Sequence, residues 1–204
     1  MKKGTDFFNE NEEFKTLNDE LTVKYDSLTV ADIWSKIASC YDDTWAQYSG
    51  VNDALKKHLK YMIPYIAVYK VLFEDDRNDA LELVAEQAKM NAIEKRKDNE
   101  AYSSRFPGLF IKKCRKLPKS FYTEKAGFEV VELESPSDEC SFVIKKCPYN
   151  AICTENGCPE RVKVFSDNDL FLYANLPNIS FKRDGSLEAE EGECEYRFKL
   201  RDRK

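Results

Sequence analysis

The stretch CSFVIKKCPYNAICTENGCPERVKVFSDNDLFLYANLPNISFKRDGSLEAEEGECEYRF, residues 140–198, holds five of the seven cysteines and decides the fold class. At its start Phe142 and Ile144 alternate with polar or smaller neighbours. At its end Cys194, Tyr196, Phe198 and Leu200 alternate with Glu193, Glu195, Arg197 and Lys199. A period of two is the mark of strands with one buried face. Between them, Val162 and Val164 suggest a further strand, Ser166 or Asp167 opens a short helix, and Ile179, Phe181 and Arg183 form another strand face. Just upstream, Phe128, Val130 and Glu132 alternate with Glu129, Val131 and Leu133. The reading is a mostly antiparallel sheet with one short inserted helix.

Working outward, the N-terminal side has the helical period instead. Val30, Ile33, Trp34, Ile37, Tyr41 and Trp45 recur at steps of three and four, with Thr29 as cap and Gly50 near the close. Asn52 caps a second helix whose stripe is Leu55, Leu59, Met62, Ile66, Tyr69 and Phe73, with Pro64 predicted to kink it. A third helix runs from about Asp76 to Asp98. Residues 1–26 show no sustained period and read as a flexible N-terminal arm. Residues 27–204 are then one α+β domain, with a helical part (27–105) packed on a sheet part (106–204).

Composition narrows the partners. The net charge of −5 argues against nucleic acid, which needs concentrated positive charge. The basic run Lys112, Lys113, Arg115, Lys116 and Lys119 reads as a solvated connector. The longest apolar run, Tyr61 to Phe73, is interrupted by Pro64 and Lys70 and is too short to span about 30 Å of hydrocarbon. With no export signal after Met1-Lys2-Lys3, the expectation is a cytoplasmic protein that meets no membrane.

Several side chains carry possible chemistry. Arg183 continues an inward strand face, so its guanidinium needs a carboxylate from the protein or from a small acidic ligand, unless it reaches water at a strand end. Cys147 ends a strand beside Lys145 and Lys146, charges that favour a thiolate. Cys194 lies on an apolar face, where cysteine serves as a small hydrophobe. Asp169 is either a base or a helix-start residue of capping-box type after Ser166. His58, the only histidine, borders an apolar stripe among lysines that lower its pKa. Cys140, Cys147, Cys153 and Cys158 are separated by six, five and four residues, with no Cys-x-x-Cys pair, so no metal site is assigned.

The segment HLKYMIPYIAVYKVL (58–72) and the helix over 80–92 resemble the helical half of the L-2-amino-thiazoline-4-carboxylic acid hydrolase-like proteins. The second half is similar through Cys147-Pro148-Tyr149, Pro159-Glu160, the segment FSDND, Phe181-Lys182-Arg183, Ser186-Leu187, Gly192 and Cys194-Glu195-Tyr196-Arg197-Phe198. The chain departs where Ser166 replaces an expected cysteine, where Ser186 stands for a common threonine, and where Glu195-Tyr196 follows the last cysteine. The resemblance implies a hydrolase of cysteine metabolism that opens a cyclic amidine carboxylate to a carbamoyl-cysteine. In that reaction Arg183 would anchor the carboxylate, Asp169 would be the base, and Cys147 the nucleophile or proton donor. Tyr149 and Cys194 would also contact substrate. No cofactor is assigned. The competing readings are a small-ligand-binding or sensor module without turnover, and a cysteine-ligated metal protein.

Overall fold

Residues 2–74, 77–185 and 192–201 are described by the structure, a computed structural model. Asp76, Ser186 and Leu187 lie outside the described residues. The segment read as a flexible arm carries α1 (Gly4–Glu10) and α2 (Lys15–Lys24), both docked. Phe14, Leu17 and Leu21, at steps of three and four, are buried. Phe7 stacks on Tyr41 with ring centroids 4.9 Å apart. Gly4 permits the approach: a Cβ there would sit 2.3 Å from the Ala38 carbonyl oxygen. Its N–H donates to Asp42 at 2.9 Å, and the Leu17 N–H donates to Gln87 at 3.0 Å. Three apolar side chains are too few for a period to emerge from the sequence, but they suffice to hold two short helices on a larger core.

Helix α3 (Ser27–Gln47) begins at Asp26 rather than Thr29. The Asp26 carboxylate accepts from the Leu28 and Thr29 N–H groups, and the Thr29 hydroxyl donates to it as well. A carboxylate satisfies several orphan helix donors where a hydroxyl satisfies one. Helix α4 (Asp53–Phe73) is capped by Asn52 and runs unbroken through Pro64. It is the central helix, buried on nearly every side from Leu59 to Tyr69, and α3 and α5 (Arg77–Arg105) pack against it.

Two short helices, α6 (Pro107–Cys114) and α7 (Leu117–Ser120), occupy the basic connector. Its charges are used locally. Arg115 donates to the carbonyls of Ser135, Pro136 and Glu139, Lys119 pairs with Glu132, and Lys113 lies over the Tyr102 ring.

The sheet is four-stranded and antiparallel, in the order β1 (Glu129–Leu133), β2 (Glu139–Lys146), β4 (Cys194–Leu200), β3 (Ile179–Gly185). Register places Phe142 opposite Tyr196 and Tyr196 opposite Arg183, so the alternation read from the sequence becomes one continuous inner face. Between β2 and β3 lie α8 (Pro148–Glu155) and α9 (Val162–Tyr173). The expected strand at Val162 and Val164 is the first turn of α9, whose apolar residues Val162 and Phe165 are three apart and buried. Two valines with one residue between them fit both periods, and packing against α5 selects the helix. The fold is thus α+β, with one core among the helices and one between the sheet and α6. Tyr149 packs against both.

Candidate active site

Where the two cores meet, a cavity of about 420 Å³ opens. Its walls come from α4, α5, α9, the α7 region and the sheet, and they include Tyr61, Phe121, Phe128, Phe165 and Leu172. Most of the lining is apolar, with a small group of converging polar atoms, the pattern expected of a small-molecule site.

Asp169 is the one carboxylate among the lining residues, and Lys95 the one cation. Because α9 begins at Val162, Asp169 lies in the helix interior, and the helix-start explanation no longer applies to it. Its carboxylate accepts from the Tyr196 hydroxyl at 2.6 Å and the Tyr122 hydroxyl at 3.3 Å. Burial raises its pKa, while Tyr196, Arg183 and Tyr122 pull it back. A carboxylate so placed is a base with a proton affinity above that of one in water.

Cys147 lines the same cavity. Lys145 and Lys146 are exposed on the strand before it, whereas the thiol lies inward, and burial pushes its pKa up to about 12. It is therefore a thiol at neutral pH, suited to donating a hydrogen rather than to attacking. Tyr149 also lines the cavity, and its hydroxyl lies 2.9 Å from His58 Nδ1. The other ring nitrogen, Nε2, lies 3.1 Å from the Phe121 carbonyl, which can only accept. Nε2 therefore carries the hydrogen, and Tyr149 donates to Nδ1. His58 is 1% exposed, and burial, more than Lys57, lowers its pKa.

A histidine whose folded pKa is depressed stabilises the fold fully above its unfolded pKa, and that contribution is lost as pH falls below it. The melting temperature is expected to drop between about pH 7 and about pH 5. In a His58→Gln variant the drop should be smaller. Equal slopes in the two proteins would exclude His58 as the titrating group.

Arg183 and Cys194 are not among the lining residues. The carboxylate that Arg183 requires comes from the protein: it donates to Asp167 at 3.1 Å and to the Ser166 carbonyl, with its side chain 7% exposed. Arg183 thus ties β3 to the turn of α9 that precedes Asp169. Cys194 is buried in the sheet beside the Gly185 carbonyl. The structure therefore brings together Cys147, Tyr149 and Asp169. It adds Tyr122, Tyr196, Lys95, and the pair Tyr61 and Asn168, whose side chains hydrogen-bond to each other. Among the described residues, no three His, Cys, Asp or Glu side chains are grouped so as to hold a metal ion.

A profile described as L-2-amino-thiazoline-4-carboxylic acid hydrolase matches residues 56–198. The chain belongs to that family. The match begins just before His58, takes in most of α4, all of α5 and α9, and the sheet as far as Phe198 in β4, and so covers every lining residue of the cavity. No significant match is found among curated proteins. Among solved structures, the chain is similar to the crystal structure of an Fe(II) unliganded H-NOX protein mutant from K. algicida. That likeness is at 12% identity, over 98% of this chain and 97% of that one, with a TM-score of 0.31, too low to inform the family member's fold or chemistry. Among the described residues no helix is long and apolar enough to cross a membrane.

Proposed function

We propose that the chain hydrolyses a small cyclic amidine carboxylate of the 2-amino-thiazoline-4-carboxylate type, opening the ring to a carbamoyl-cysteine. Membership of the family supports the reaction class, and one observation carries the site: a single half-buried carboxylate, Asp169, faces an apolar cavity with a single cation, Lys95, among its lining residues. That pairing suits a ligand with a carboxylate at one end and a carbon–nitrogen centre open to water at the other.

In this reading Asp169 takes a proton from water as the oxygen bonds to the ring carbon between sulfur and nitrogen. Tyr122 and Tyr196 fix the carboxylate by donating to it. As the oxygen adds, the ring carbon–nitrogen double bond opens and its electron pair goes to nitrogen; the hydroxyl proton then passes to that nitrogen as the carbonyl forms, the carbon–sulfur bond breaks, and the proton held by Asp169 goes to the departing sulfur. Sulfur leaves in preference to nitrogen because a thiol, with a pKa near 8.5, is far more acidic than an amine. Cys147 steadies the departing atom by donating its S–H, and Tyr149, held by His58, walls the site. The product is a carbamoyl group on nitrogen and a free thiol, so atoms and charge balance with one water consumed.

The test uses catalytic amounts of reduced protein with L-2-amino-thiazoline-4-carboxylate, following ring opening by NMR and thiol release by a colorimetric reagent. Ring opening with one thiol released per turnover is the expected result. Ring opening without a new thiol would assign cleavage to the carbon–nitrogen bond. Ligand resonances that shift with no turnover would defeat the hydrolase reading in favour of a binding module.

A further inference from the structure

The cavity is larger than the molecule proposed to react in it. Allowing every heavy atom of 2-amino-thiazoline-4-carboxylate the ~30 Å³ that one water takes in the liquid, a generous share, the whole molecule needs under about 270 Å³. The cavity offers about 420 Å³. The remaining ~150 Å³ is the size of an apolar cavity that holds a benzene ring.

The charged and apolar parts of the lining are set apart. Lys95 lies over the Tyr61 ring, and from Tyr61 a run of rings leads through Phe165 and Tyr149 to Phe128, with successive centroids 5.5, 6.0 and 5.8 Å apart. Asp169 is tied to the Phe128 end: its carboxylate accepts from the Tyr122 hydroxyl, and the Tyr122 ring lies 5.2 Å from that of Phe128. Phe128 and Ile144, both lining residues, are buried in the same core. Their side chains offer a water no hydrogen bond, and a buried water needs two to four polar partners to stay. Space of this kind gains affinity when an apolar group displaces poorly held water.

We propose that the substrate is a 2-amino-thiazoline-4-carboxylate whose exocyclic nitrogen carries an apolar, ring-sized substituent, and that Phe128 and Ile144 select it. This rests on the hydrolase reading of the same cavity. With the carboxylate on Lys95 and the reacting ring carbon at Asp169, the exocyclic nitrogen lies on the far side of the ring from the carboxylate. It is therefore the atom that points past Asp169 toward Phe128. A substituent there leaves the chemistry unchanged: water adds to the same carbon, the carbon–sulfur bond breaks, and the substituent stays on the carbamoyl nitrogen of the product. One water is consumed for each thiol released. An aromatic substituent would also meet the Phe128 and Tyr149 rings, whose centroids are spaced for edge-to-face contact.

The experiment compares the parent compound with its N-benzyl and N-(2-hydroxyethyl) derivatives on the wild-type protein, taking rates from thiol release and affinities from calorimetry. The N-benzyl compound is expected to show KM and Kd about thirtyfold below those of the parent, equivalent to about 2 kcal/mol of apolar burial, with little change in kcat. The hydroxyethyl compound should gain nothing. If the parent is turned over and the N-benzyl compound is neither tighter nor faster, the subsite is overturned and the hydrolase reading stands. If the N-benzyl compound binds thirtyfold more tightly and neither is turned over, the subsite stands and the hydrolase reading falls. An Ile144→Trp variant, which fills the space, should bring the ratio of the two kcat/KM values close to one; an unchanged ratio would overturn the assignment to Ile144. The ratio is taken within one protein, and the wild-type comparison decides the subsite even if that variant folds poorly.

Discussion

Replacing Asp169 by Asn is expected to cut turnover by about a thousandfold and, at neutral pH, to raise the melting temperature. The first effect follows from its place as the single carboxylate among the lining residues of the cavity, since removal of a general base typically costs 10²–10⁴-fold. The second follows from linkage. Burial raises the folded pKa of Asp169 above its ordinary value. For an acid shifted in this direction, the folded state is favoured below the unfolded pKa, and that contribution is lost as pH rises through the folded pKa. At neutral pH the wild type therefore bears the cost of an ionised, partly desolvated carboxylate. Asparagine keeps the shape and can still accept from Tyr122 and Tyr196 without the charge. The gain in melting temperature should shrink as pH is lowered into the acid range, where the raised pKa lets the wild-type carboxyl take up its proton. Wild-type turnover should fall over the same range, because only the ionised form can accept a proton from water. Thermal melts and steady-state rates across pH check both halves; a variant with full turnover would remove Asp169 as the base.

The particular residues show what the sequence could and could not disclose. Period-two alternation located the four strands of the described residues, although only β2 and β4 bury a full face and β1 is exposed apart from Val130; the same period also made a strand of Val162 and Val164, which are helical. The rule that an inward arginine must find a carboxylate was correct for Arg183, but the carboxylate was Asp167, which sits on a helix whose start had been set four or five residues too late. That late start also made Asp169 resemble a helix-cap residue. Tyr196 offered a signal that went unread: a tyrosine on an otherwise apolar strand face has a hydroxyl that needs a partner, just as an arginine does. Tyr122 gave a similar signal within an aromatic run. Lys95 could not be found this way, since a lysine on the polar face of a long helix looks the same whether it borders solvent or the mouth of a cavity. The convergence of α5, α9 and the sheet is set by long-range packing, which no local period encodes.

Lys95 and Arg183 differ in the kinetic constant they should move. Lys95 is exposed, lines the cavity, pairs with Glu13 at 2.6 Å and lies over the Tyr61 ring. A ligand carboxylate entering the cavity would exchange one partly exposed ion pair for another, with the second closer to the apolar wall. The net gain is about 1 kcal/mol, the upper end of what an exposed ion pair contributes. Lys95→Met should therefore raise KM about fivefold with little change in kcat, because the contact is made equally in the ground and transition states. Arg183→Met should act through position. It removes the ties to Asp167 and the Ser166 carbonyl that fix the turn of α9 before Asp169, so kcat should fall while KM changes little. Its pH–rate profile should also move toward higher pH, since Arg183 is one of the groups that lowers the Asp169 pKa. Should Arg183→Met instead raise KM with kcat and the pH profile intact, the arginine would be the carboxylate anchor after all, and Lys95 a rim residue paired with Glu13.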